Sequence, residues 1–155
     1  MEPKRRKVEG ASREDQTRAT IIAAAKRLVQ KHGPHKVTME DIASALGKKK
    51  SFLYYYYPGR REVIQAVIQA EFTEMQQHVR QAVSAQKGAV PQLRTFMMAR
   101  MESVLKRAAD YGATPVSTLL QGVEPGTDFA SVLELRKVFD REEEHFFADI
   151  LRRGI

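Results

Sequence analysis

The 155-residue sequence contains no cysteine. That excludes a disulfide framework, a thiolate metal site and a cysteine nucleophile, and it fits a reducing cytoplasm. No uninterrupted apolar run approaches the roughly 20 residues that span a bilayer, so no membrane partner is expected. The N-terminus MEPKRRKVEG is charged and has no apolar segment behind it, unlike a secretory signal. There is no Gly-rich phosphate loop, no Ser-x-Gly elbow, and no carboxylate pair that stands apart from ordinary helix surface, so an enzyme is not expected. His32, His35 and His78 share no metal-ligand spacing. The adjacent acids of DREEEH (Asp140–His145) point in different directions on a helix and read as a solvated face, so neither a metal nor a cofactor is expected.

What is abundant is positive charge, and it is unevenly placed. Residues 1–61 hold 15 Lys and Arg against 6 Asp and Glu, a net of +9, whereas residues 62–155 hold 11 against 13, a net of −2. A basic module on a slightly acidic body is the electrostatic footprint of polyanion binding at one end.

Every strong apolar pattern along the chain has the helical period, and no strand or internal repeat is evident, so the predicted fold is all-α. Residues 1–12 are polar and basic and read as a flexible tail. Its PKRRKV (Pro3–Val8) suits a solvated tail, a DNA-contacting arm or a short import signal. From Arg13 to His32, Ile21, Ala25, Leu28 and Val29 form one stripe, and Gly33-Pro34 ends the helix. Thr38 with Asp41 makes a capping-box-like start for a short helix that Gly47 stops. A second short segment, KKSFLYYYY, ends at Pro58-Gly59. Longer helices are predicted from near Arg60 to Lys87, from Pro91 to Asp110, and from Thr127 or Asp128 to the end, with a short one at Val116–Leu120. This sets a helix-turn-helix domain at 13–60 and a helical regulatory domain at 61–155.

The two short helices meet at Ala45-Leu46-Gly47-Lys48, a helix-turn-helix candidate. Too short to be stable alone, they need a three-helix core, which Ile21, Leu28, Val29, Ile42, Leu46, Leu53 and Tyr57 can build. The second helix then projects Lys49, Lys50, Ser51, Phe52, Tyr54 and Tyr55 outward, as a recognition helix does toward a major groove. Lysines, Lys48 included, neutralise phosphates and reach guanine acceptors. Ser51 is small enough for close approach, Phe52 can touch a thymine methyl, and the hydroxyls of Tyr54 and Tyr55 can reach phosphate oxygens. Tyr56 and Tyr57 read mainly as packing rings. Arg60 and Arg61 open the next helix, where the dipole disfavours cations unless a phosphate lies nearby.

The set of residues from Arg18 to Val67 resembles the DNA-binding domain of TetR-type transcriptional regulators. The matching pieces are II and AA in the first helix, HG at its end, TMEDIASALG, KSFLYYYYP and RREVI. The resemblance implies that Thr38, Lys50, Tyr54, Tyr55 and Arg60 occupy DNA-contacting positions, with base reading at Lys49–Phe52 and Tyr55. It implies double-stranded DNA as partner, a cytoplasmic location and a homodimer, although the two helices that usually make the dimer lie past the seventh, where this sequence stops. Three residues depart from the pattern. Lys48 replaces a small apolar residue, Phe52 replaces a small polar one, and Lys49 stands where a Ser or Thr N-cap is usual, which should weaken that helix start by roughly 1 kcal/mol.

For the C-terminal body the resemblance implies a ligand-responsive repressor with a small apolar inducer. Phe96, Met97, Met98, Met101, Tyr111, Phe129, Phe139 and Phe146 can line an adaptable apolar cavity. The alternative is a DNA-binding adaptor whose body serves a protein partner.

Overall fold

The computed structural model describes residues 4–33, 36–110 and 127–154. Six helices and no strand occur among the described residues: α1 (Lys4–His32), α2 (Met39–Ala45), α3 (Lys50–Tyr56), α4 (Arg60–Ser84), α5 (Ala89–Asp110) and α6 (Thr127–Gly154). The fold is all-α. The short helix expected at Val116–Leu120 lies outside the described residues.

One expectation fails at the start of the chain. Residues 1–12 read as a flexible tail, yet α1 begins at Lys4. No proline interrupts the sequence between Pro3 and Pro34. Lys, Arg, Glu and Ala are good helix formers, and the single Gly10 costs only about 1 kcal/mol. A polar composition marks a segment as solvated without making it coil.

The chain divides into two compact units, Met1–Val67 and Ile68–Ile155, with the division inside α4 rather than at the 60/61 boundary read from the sequence. In the first unit the core is Ile21, Ala24, Ala25 and Val29 of α1, Val37, Met39, Ile42 and Ala43 at α2, Leu53 of α3, Tyr57, and Val63, Ile64 and Val67 of α4. Leu28 and Leu46, expected in that core, are half-buried. In the second unit Met75, Val79 and Val83 of α4 pack with Phe96 and Ala99 of α5 and Ile150 of α6. A nearly buried ion pair crosses this unit: Nε of Arg107 donates to the Glu71 carboxylate at 3.2 Å, and the same guanidinium donates to the Glu71 carbonyl.

Candidate nucleic-acid interface

Two short helices and the turn between them build the site. Thr38 starts α2 with a complete capping box. Its hydroxyl accepts from the Asp41 amide at 3.2 Å, and the Asp41 carboxylate accepts from the Thr38 amide at 2.8 Å. The hydrogen bond from the Thr38 hydroxyl, followed by that from its amide, holds the Asp41 carboxyl below its usual range.

The turn is closed by Gly47, whose φ of 63° lies in the left-handed region. Its amide donates to Ser44 and the Lys48 amide donates to Ala43, at 3.0 and 2.9 Å. These two bonds make a Schellman motif, which satisfies the last carbonyls of α2 and reverses the chain. Lys48 therefore occupies a backbone position outside the helix. Its side chain is exposed and its Nζ lies 5.5 Å from the centre of the Phe52 ring. A long aliphatic stem can cover apolar surface while its ammonium stays wet, so Lys48 is tolerated where a small apolar residue was expected.

Lys49 is the N-cap of α3 and supplies no side-chain cap, as the sequence predicts. The helix is instead anchored by Leu53, which is fully buried. At 100° per residue, that anchor turns one face of the helix outward. Lys50, Ser51, Tyr54 and Tyr55 are exposed, Tyr55 most of all at 77%. Phe52 and Tyr56 are half-buried and pack together at 5.1 Å, and Tyr57 is buried. Phe52, expected to project outward, thus belongs partly to the side wall of the helix.

Three cations hold these pieces. Arg18 donates from Nη1 to the carbonyl of Tyr56 at 2.7 Å and lies 5.4 Å from the Tyr57 ring centre. Arg60 donates from Nε to the carbonyl of Val37 at 2.7 Å, tying the start of α4 to the segment before α2. Lys50 pairs with Glu40 of α2, and its Nζ lies 5.7 Å from the Tyr54 ring centre. The hydrogen bond between them lowers the pKa of Glu40 and raises that of Lys50.

Sequence reasoning missed Glu40 and Arg18. Glu40 sits beside Met39 on a patterned helix, but its pairing ten residues on, across the turn, has no periodic signature. Arg18 reads only as a residue off the apolar stripe.

Of the expected ligand residues of the second unit, those described divide between its core and its surface. Phe96 and Phe139 are core, and Phe96 lies 6.2 Å from the half-buried Phe146. Met97, Met98 and Met101 are more than half exposed on the other face of α5. Tyr111 and the side chain of Phe129 lie outside the described residues. An open groove of about 500 Å³ runs past Arg80, Val138, Arg141, His145 and Phe146, and of the expected set only Phe146 lines it. No helix among the described residues is long and apolar enough to cross a membrane.

Comparison with known proteins bears on this geometry. Residues 21–67 match the sequence profile of bacterial regulatory proteins of the tetR family. Over 57 residues the chain is 39% identical to the uncharacterized HTH-type transcriptional regulator YvaF of Bacillus subtilis, covering 37% of this chain and 30% of that protein. Over 53 residues it is 36% identical to the HTH-type transcriptional regulator TtgR of Pseudomonas putida, covering 34% and 25%. The matched stretches thus span less than a third of these relatives. In three dimensions the chain is similar to the TetR family transcriptional regulator PfmR of Thermus thermophilus, with a TM-score of 0.59, 25% identity, and 86% of this chain and 69% of that one covered.

Proposed function

We propose that this protein, whose residues 21–67 match the profile of bacterial regulatory proteins of the tetR family, is a homodimeric, ligand-responsive repressor that binds operator DNA through α2 and α3. One observation carries the reading. The buried Leu53 turns Lys50, Ser51, Tyr54 and Tyr55 to solvent together, on the unit that holds all the excess positive charge.

Lys49, Lys50, Ser51 and Tyr55 offer groups to base edges, while Thr38, Lys48 and Tyr54 offer donors to phosphate. Phe52 supports the helix and presents one ring edge. Arg60 is already engaged with Val37, so its part in binding is to position the start of α4 as well as to bring charge. Two heads are needed to read two half-sites about 34 Å apart or a multiple of that spacing. An apolar inducer would act by favouring one head arrangement over another.

Selection of bound sites from random duplexes, with salt titration and mass measurement alongside, tests the proposal. The expected result is a two-fold-symmetric site bound by a dimer, with affinity falling steeply as salt rises. Binding that ignores both sequence and salt overturns it.

A further inference from the structure

Glu40 is out of place on a surface meant for phosphates. A head that served only the DNA backbone would gain nothing from a carboxylate there, because it repels the phosphates and occupies a lysine. Yet Glu40 and Lys50 pair across the turn, on side chains that are 60% and 44% exposed, beside the exposed Tyr54. The pair is thus on the outward face of the two-helix unit, not in its core.

We propose that Glu40 and Lys50 act as one donor–acceptor unit that selects a G·C base pair in each half-site. The inference rests on the DNA-binding reading above and names the specificity of that same site. In the major groove a G·C pair presents two acceptors, N7 and O6 of guanine, followed by a donor, N4 of cytosine. An ammonium has three N–H donors. With one given to Glu40 and Tyr54 beside it, the remaining N–H groups can turn to N7 and O6. Glu40 Oε1 takes the lysine, and Oε2 supplies the acceptor for cytosine N4. An A·T pair presents an acceptor, a donor and then the O4 acceptor of thymine, so the carboxylate would have to lie between adenine N6 and a repelling oxygen.

Glu40 is in this account a specificity-determining residue with two effects. It accepts from the cytosine, and it keeps the Lys50 ammonium from turning to the nearest phosphate. The ring of Tyr54 limits the lysine on its other side.

The test uses the full chain and three variants, Glu40→Gln, Lys50→Gln and the exchange Glu40→Lys/Lys50→Glu, in random-duplex selection with salt titration. The wild type should show one G·C position per half-site preferred by about tenfold. Glu40→Gln and Lys50→Gln should both flatten that same position. Glu40→Gln should also bind non-cognate duplex more tightly, with a salt slope steeper by about 0.9 per head as Lys50 turns to phosphate. The exchanged pair keeps the ion pair, so it should keep the wild-type melting temperature while moving the preference at that position away from G·C. An unchanged profile in Glu40→Gln, effects of the two single variants at different positions, or an A·T preference overturns the proposal. If the wild type selects no site at all, the DNA-binding reading itself fails, and that result is distinct from the other three.

Discussion

Arg18 of α1 caps the far end of α3: its guanidinium donates to the carbonyl of Tyr56 at 2.7 Å. Tyr56 is the last residue of that helix, and helix-terminal carbonyls have no partner within the helix. A three-helix head with two seven-residue members depends on such ties, because neither short helix holds itself together.

Arg18→Ala should therefore destabilise the head by about 1.5–3 kcal/mol, the range for a hydrogen bond involving a charged group. Arg18→Lys, which can reach one carbonyl but not with a planar fork, should recover part of the loss. Urea denaturation followed by circular dichroism reads both values, and equal stability in all three proteins would show that the tie carries no weight.

Thr38→Ala removes the α2 cap and should cost about 1 kcal/mol at neutral pH. The pH dependence follows from Asp41. Its folded pKa is depressed, so its contribution is present above the unfolded value of about 3.9 and is lost as pH falls through the folded one. Without Thr38 that depression shrinks. The gap between the melting curves of the two proteins should therefore narrow as the solution is taken below about pH 4; a gap of constant size would contradict the assignment.

Lys49→Ser supplies the cap that α3 lacks. The expected gain in head stability is about 1 kcal/mol. If Lys49 also touches DNA, the same variant should bind more weakly and with a shallower salt slope. Stability and binding then move in opposite directions, which calorimetry and a salt titration read separately.

Arg107→Met leaves the Glu71 carboxylate, 9% exposed, without its guanidinium. Breaking a buried pair on one side should cost the second unit about 3 kcal/mol. Glu71→Leu combined with Arg107→Met should return most of that. A double variant as unstable as the single one would mean that the two side chains do not act as a pair.

The sequence made the head legible where a single residue type has one strong local reason to be where it is. Gly47 stops α2 because its φ of 63° suits glycine. Ile21, Ile42 and Leu53 are buried because the helical period aligns them. Three of the four tyrosines divided as expected, Tyr54 and Tyr55 out and Tyr57 in, while Tyr56 is half-buried. Side-chain ties over long separations were not legible. Arg18 meets Tyr56 38 residues away, and Glu40 meets Lys50 across a turn. In α5 the limit was different. Apolar residues occupy more than one face, and periodicity alone cannot tell which face is covered. The core took Phe96 and Ala99, and left Met97 and Met101 in solvent.

The helical start of α1 also sets how far the basic N-terminus can reach. Nine residues in extended form, from Lys4 to Ser12, would cover about 30 Å. As helix they cover about 13 Å. A flexible arm of that charge could search a wide volume and settle wherever phosphate is dense. The same charge on a continuation of α1 travels with the helix that carries Arg18 and the first third of the head core.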